Sequence, residues 1–194
     1  GAQQAEAVEE NAGQTDNCQD FHAEQETVKP TDLRRKRGKT SGACLQPIKW
    51  KLGTPFIESR APQIRHAAVE AVKGGSSRLD SLDRLADWVF HAVKKQPAAG
   101  VPSALAVLEK RQGDCNEHSV LFTAMARSLG IPCRIQMGVV YQQGRFYYHA
   151  WPAAWADGEW VEFEPTFGTR RADAARISLA CGDLANASEL VGAF

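Results

Sequence analysis

The stretch GDCNEHSVLFTAMARSLG, residues 113–130, decides the fold, because it predicts a buried helix with a cysteine at its amino end. Asp114 is a favourable N-cap residue, and Glu117 three positions later completes a capping box. The helix therefore begins at Cys115, where unpaired backbone N–H groups and the helix dipole favour a negative charge. A thiolate is easier to form at such a position than in water, and the thiolate is the nucleophilic form. Gly130 is expected to end the helix.

The composition is that of a single globular domain. The chain has 194 residues, of which 43% are hydrophobic, enough for a sizeable core. Its formal net charge is zero, so no general attraction to nucleic acid or to an anionic membrane is expected. No apolar run approaches the roughly 20 residues of a membrane span. The five cysteines are too few and too unevenly spaced for a disulfide framework, and their odd number leaves at least one free thiol.

Two blocks of opposite charge precede the globular part. Residues 1–28 contain seven acidic residues and no Lys or Arg, and a basic cluster follows over residues 29–39. Such composition favours a solvated segment. We therefore expect residues 1–45 to form a mobile charged tail or linker and residues 46–194 to form the domain. The small residues at the start suit a chain cleaved after export, which slightly favours an exported or periplasmic location over a cytoplasmic one.

Local patterns ahead of the cysteine helix predict one strand and three helices. Apolar residues alternate over residues 48–52, which indicates a short strand. A proline opens a helix over residues 62–72. A second helix carries an apolar stripe and ends before Pro97, and Ser103 is placed to cap a short third helix.

After the cysteine helix the apolar pattern changes from the period of a helix to that of a strand. It predicts a half-buried strand over residues 133–141, a hairpin turn at residues 142–145 and a second strand over residues 146–155. A third strand covers residues 160–164. Residues 169–194 show only weak periodicity.

This order of elements is the layout of thiol acyl transfer: a cysteine on a helix, a histidine on a strand and an acid on the next strand. Cys115 would be the nucleophile and His149 the base that takes the thiol proton and later protonates the leaving group. The acid would hold the imidazole in the required tautomer.

Glu162 and Glu164 compete for the role of that acid. If Trp155 pairs with Trp160 across the second turn, Glu164 becomes a diagonal neighbour of His149 on the same face. Glu162 then lies two residues further away, as a solvated or rim carboxylate. The strand geometry thus favours Glu164.

Three blocks of the sequence resemble the transglutaminase-like superfamily, whose core is similar to that of papain. The blocks are RQGDCNEHSVLFTAMARSLGIPCR, YYHAW and WVEFEPTFG, and the resemblance covers residues 102–168. It implies an α+β fold in which the cysteine-bearing helix packs on an antiparallel sheet that carries the histidine and the acid. Cys115 falls on the family's nucleophile and His149 on its base. Glu164 falls where the family usually has the aspartate of an Asp-Pro-Thr sequence, and it is longer by one methylene.

The resemblance implies cysteine-dependent acyl transfer on an amide or peptide bond of a protein or peptide substrate, through a thioester. Hydrolysis by a protease or amidase is slightly favoured over cross-linking to an amine. The acidic calcium loops of animal transglutaminases have no counterpart in this sequence, so neither a metal nor another cofactor is expected.

Two other classes of protein stay open from the sequence. A catalytically silent module could keep the fold and use its groove to bind a peptide or glycan. A zinc module could be assembled from Cys115, His118, Cys133 and His149, although the sequence has no second close pair of ligands. His118 is also a rival base, but a core or boundary histidine is the preferred interpretation.

Overall fold

The computed structural model describes residues 48–97 and 102–184. The predicted tail, residues 1–45, and its boundary with the domain lie outside the described residues. The division into tail and domain therefore stays a prediction.

The first described element corrects the sequence prediction. Residues Ile48–Lys51 form a 3₁₀ helix, so the short strand predicted there is wrong. Both Ile48 and Leu52 are exposed, so their alternation with polar residues does not mark a face that packs on a core.

Three helices then follow as predicted. They are α1 (Pro62–Ala71), α2 (Arg78–Ala92) and α3 (Ala104–Lys110). Ser77 caps α2 by accepting a hydrogen bond from the N–H of Asp80. Ser103 precedes α3, but its hydroxyl donates to Glu58 instead of capping the helix. Glu58 accepts the N–H of Leu105 in its place.

The cysteine helix, α4 (Cys115–Ser128), lies at the centre of the described structure. Its capping box forms as predicted: Asp114 accepts from the N–H of Asn116 at 2.9 Å, and Glu117 accepts from the N–H of Asp114 at 2.9 Å. Every residue from 117 to 127 is buried, as expected for a helix with packing partners on all sides. α4 contacts the three other helices and the sheet described next.

A five-stranded antiparallel sheet packs against α4. Its spatial order is β6 (Arg170–Arg171), β5 (Glu159–Glu164), β4 (Arg145–Ala156), β3 (Cys133–Gln142) and β7 (Arg176–Gly182). A separate two-stranded parallel sheet joins β1 (Lys94–Lys95) to β2 (Gln112–Gly113), directly before α4. The predicted α+β fold is confirmed.

The register between β4 and β5 is also confirmed. Trp155 pairs with Trp160, and Ala153 pairs with Glu162. The connecting turn has Asp157 and Gly158 at positive φ, which suits the tight turn of a two-residue hairpin.

Two strand predictions need correction. Residues 133–138 of β3 are buried on both faces, so the strand is not half-buried over that stretch. Arg134 covers its second face by lying over the Trp160 ring, and Gln136 accepts from Ser178 on β7. The structure also places β6 and β7 in the segment for which the sequence indicated only weak periodicity.

None of the helices in the described ranges combines the length and the apolar character needed to cross a membrane.

Candidate active site

Cys115 occupies the first position of α4, beside the strand that carries His149. Its thiol accepts a hydrogen bond from the backbone N–H of Ala150, the residue directly after His149. One turn further along α4, Ser119 donates to the carbonyl of Ala150 at 3.0 Å. The helix is thus tied to β4 through both polar groups of one residue, which sets the cysteine next to the histidine in the fold.

The thiol does not have the electrostatics expected from a capped helix start. Burial and, after it, the charge of Asp114 raise the pKa of Cys115 to about 12, although the backbone N–H of Ala150 lowers it. The expectation of an easily formed thiolate is therefore wrong for the resting site. Burial is the larger of the two causes that raise the pKa, and the resting cysteine is a neutral thiol.

His149 and Glu164 form a buried pair. The Nε2 atom of His149 donates to Oε2 of Glu164 at 2.8 Å, and the two residues are 2% and 0% exposed. The second carboxylate oxygen, Oε1, accepts the backbone N–H of Thr166 at 3.1 Å. Because Nε2 is engaged by the acid, Nδ1 is the ring nitrogen left to receive a proton.

Two aromatic rings enclose the imidazole. The ring of Trp151 stacks on His149 with centroids 5.8 Å apart, and Phe167 stacks with a centroid distance of 5.0 Å. Glu162 accepts the indole N–H of Trp151 at 3.1 Å. Glu162 is thus bound to a ring that contacts the histidine, and it is half-buried, which agrees with the rim carboxylate of the prediction.

Arg176 is a site residue that the sequence analysis missed. Its Nη2 and Nε atoms lie 2.6 Å and 2.9 Å from Oε2 of Glu164, the same oxygen that accepts from His149. Burial raises the pKa of Glu164, but the hydrogen bond and charge of His149 and the charge of Arg176 outweigh it, and the net pKa is lowered. The alternation of Ile177, Leu179 and Cys181 was the available signal for the strand that carries this arginine.

Tyr148 is a second site residue that the sequence analysis missed. Its hydroxyl donates at 3.2 Å to Oδ1 of Asn116, which follows Cys115 in α4. Burial, and after it the charge of a Cys115 thiolate, raise the pKa of this phenol to about 12. The Tyr148 hydroxyl therefore stays protonated. It can act only as a hydrogen-bond donor or as an uncharged neighbour of the thiol.

The other titratable residues considered in the sequence are engaged elsewhere. His118 is buried, with Nδ1 2.6 Å from the carbonyl oxygen of Asp114 and Nε2 3.2 Å from that of Val93. Cys133 is buried against the hydroxyl of Thr123. The structure does not assemble the zinc site: no cluster of three His, Cys, Asp or Glu side chains suited to a metal occurs among residues 48–97 and 102–184.

The structure joins His149 to Glu164 but shows no hydrogen bond between the Cys115 sulfur and the imidazole within the described ranges. Catalytic hydrogen bonds are often long in the absence of substrate and tighten when it binds. The catalytic assignment of Cys115, His149 and Glu164 therefore rests on their placement and is a proposal.

A helix-borne cysteine beside a strand-borne histidine–carboxylate pair, on this α+β scaffold, defines a papain/transglutaminase-like core. Residues 65–165 match the transglutaminase-like superfamily, and the chain belongs to that superfamily.

The chain is similar to solved structures. A candidate cysteine protease from Cytophaga hutchinsonii is 21% identical, with a TM-score of 0.66 over 77% of this chain. The chain spans 50% of that protein. The periplasmic domain of TgpA from Pseudomonas aeruginosa is 21% identical, with a TM-score of 0.47 over 66% of this chain and 51% of the other. No curated protein matches the chain.

Proposed function

We propose that the chain catalyses acyl transfer from an amide or peptide bond to water through a thioester on Cys115. The observation that carries the proposal is the buried hydrogen bond between His149 and Glu164, directly beside the residue whose N–H contacts the thiol. A histidine paired with a carboxylate next to a cysteine is the arrangement that activates a nucleophile by general base catalysis.

Because the resting thiol is neutral, its proton must leave during the reaction. Nδ1 of His149 takes the proton of Cys115, and the sulfur attacks the carbonyl carbon of the substrate. Glu164 stabilises the imidazolium that results, since it already accepts from Nε2. In this proposal the backbone N–H of Cys115 donates to the oxyanion.

The imidazolium then returns its proton to the leaving amine as the carbon–nitrogen bond breaks. A thioester remains on Cys115. Water attacks it, giving a proton to His149, and the proton passes back to the sulfur as the acid product leaves. A primary amine in place of water would give a cross-linked amide, and that outcome is the less favoured one here.

A protein or peptide is the proposed substrate, because the reaction acts on an amide bond. The exported or periplasmic location stays a prediction. Neither the substrate's sequence nor a further partner is assigned.

The experiment uses a short peptide ester as an activated acyl donor, followed by intact mass and peptide mapping. The wild type should carry an acyl group on Cys115, and Cys133 serves as an internal control because it is free and fully buried. Products formed with and without an added primary amine separate hydrolysis from cross-linking. His149→Gln should strongly slow acylation.

The alternative, a catalytically silent peptide- or glycan-binding module, predicts a different result. Folded wild-type protein would then carry no acyl group on Cys115, and His149→Gln would leave its labelling unchanged. That result would overturn the proposed function.

A further inference from the structure

Arg176 lies across the sheet from the acid that it contacts. It begins β7, where it pairs with Val140 of β3, whereas Glu164 ends β5. Strands β3 and β4 separate the two residues in the sheet. The arginine side chain therefore spans two strands to reach the carboxylate, and it is only 4% exposed along this path.

The contact has the character of an anchored charge pair. Two nitrogens of one guanidinium meet a single carboxylate oxygen at 2.6 Å and 2.9 Å, and Glu164 is fully buried. A buried carboxylate without a compensating cation is costly. The charge of Arg176 is permanent, so it favours an ionised Glu164 in addition to the hydrogen bond from His149.

We propose that Arg176 is a positioning residue of the acyl-transfer site, which holds the carboxylate of Glu164 and, through it, the imidazole of His149. This inference rests on the proposed function. Arg176 does not contact the reacting atoms; it acts through Glu164.

The length of Glu164 explains why such an anchor is needed. A glutamate has one more rotatable bond than the aspartate usual at this position in the resembling family, and an oriented acid must hold its geometry closely. Here both oxygens are restrained, Oε1 by the N–H of Thr166 and Oε2 by Arg176. The extra methylene is thus compensated by an extra hydrogen-bonding partner.

Arg176 is itself held in place from two sides. Its Nη1 atom lies 2.5 Å from the carboxylate of Asp173, and its guanidinium lies 5.8 Å from the centroid of Phe167. Phe167 is also the ring that stacks on His149. The arginine therefore contacts both the acid and one wall of the imidazole.

The charged and titratable groups around Glu164 determine which measurement would reveal the effect of removing Arg176. His149 on β4 and Arg176 on β7 lower its pKa, and its own charge acts on Cys115 and His118 of α4. Removal of the arginine takes away one charge and the hydrogen bonds that lower the pKa of Glu164, so this pKa should rise. The acid limb of any activity that needs an ionised Glu164 should then move to higher pH.

The test measures acylation of Cys115 by the peptide ester against pH for the wild type, Arg176→Gln and Arg176→Lys. Arg176→Gln should slow acylation by roughly 10- to 100-fold, as expected when a catalytic group is misplaced by about 1 Å, and move the acid limb to higher pH. Arg176→Lys keeps the positive charge but loses the planar guanidinium that donates from two nitrogens, so it should recover only part of the rate.

Arg171→Gln is the matched control, because Arg171 forms a two-bond ion pair with Asp83 and does not contact Glu164 through its side chain. It should lower the melting temperature without moving the pH profile. Asp173→Asn provides a milder variant in case Arg176→Gln does not fold, since it loosens the arginine from an exposed site. It should give a smaller change in the same direction.

An unchanged rate and pH profile in folded Arg176→Gln, or in Asp173→Asn and Arg176→Lys together, would overturn the inference. So would a shift of the acid limb to lower pH. His149→Gln separates this failure from that of the proposed function: if it too leaves acylation unchanged, the function is wrong. If only the arginine variants are silent, the positioning role alone is wrong.

Discussion

The Nε2 atom of His149 donates to Oε2 of Glu164 across a distance of 2.8 Å, inside a site where both residues are buried. An imidazolium formed there has its counter-ion already in place, in surroundings of low dielectric where the interaction is strong. The pair also fixes the tautomer of the ring, because the carboxylate can only accept.

Replacement of the acid should therefore impair the proposed reaction. Glu164→Gln removes the charge that stabilises the imidazolium, and we expect Cys115 acylation to slow by roughly 100-fold or more. Glu162→Gln is the control, since an amide oxygen can still accept the indole N–H of Trp151. Its rate should stay within a few-fold of the wild type. The assignment fails if Glu162→Gln causes the loss and folded Glu164→Gln does not.

The contact between His149 and Glu164 could be predicted because it follows from a local feature. The Asp157-Gly158 turn sets the pairing of Trp155 with Trp160, and that register selects Glu164 over Glu162 as the neighbour of His149. Short turns determine register, and register determines which side chains share a face. The capping box of α4 is equally local.

What could not be predicted depends on contacts between distant parts of the chain. Arg176 reaches Glu164 across two strands, and no local pattern shows which edge β7 will join. The pKa of Cys115 depends on how deeply packing buries the thiol, whereas the sequence shows only its place at a helix start. The segment Ile48–Lys51 shows the opposite case: its apolar residues alternate as in a strand, but it pairs with no strand in the described part of the chain and forms a 3₁₀ helix.

The charge of Asp114 should make the thiol of Cys115 less reactive. Its carboxylate is the second cause, after burial, of the raised pKa of Cys115. Asp114→Asn removes this charge but keeps the cap, since asparagine caps helices as well as aspartate does. We expect the pH midpoint of Cys115 alkylation by iodoacetamide to fall, and the rate at pH 7 to rise by roughly two- to tenfold.

The control for this variant is Asp157→Asn, which removes one negative charge at the far turn of β4. Asp157 has a φ of 52°, a conformation that asparagine also tolerates. Its alkylation profile should match the wild type. A profile for Asp114→Asn that does not differ from this control would show that the Asp114 charge has no effect on the thiol.

Glu117 should make the stability of the domain depend on pH. Burial raises its pKa to about 7, with the neighbouring Asp114 as the next cause. Because the folded state favours the protonated carboxyl, the stabilising contribution is present below the usual pKa of 4.5 and is lost as the pH rises to about 7.

Glu117→Gln tests this link while keeping the capping box, in which glutamine can replace glutamate. Urea denaturation at pH 5 and pH 8 should show that the variant loses less of its free energy of unfolding between the two values than the wild type does. Identical pH dependence in the two proteins would contradict the assignment of a raised pKa to Glu117.

Gly138 should be required for β7, and hence for Arg176, to lie where it does. Gly138 pairs with His149 on one side, and a β carbon added there would lie 2.0 Å from the carbonyl oxygen of Ile177 on the other. Backbone atoms cannot yield as a flexible side chain can, so Gly138→Ala must displace β7. We expect a loss of roughly 1 to 3 kcal/mol in the free energy of unfolding by urea, the usual cost of overpacking.

Gly182→Ala is the matched control, because its nearest neighbour would be the Met137 methyl group at 3.8 Å. That control should change stability by no more than about 0.5 kcal/mol. Since Arg176 precedes Ile177, Gly138→Ala should also slow Cys115 acylation under conditions where the protein is still folded. Equal stability and equal acylation in the two variants would show that β7 does not approach β3 at Gly138.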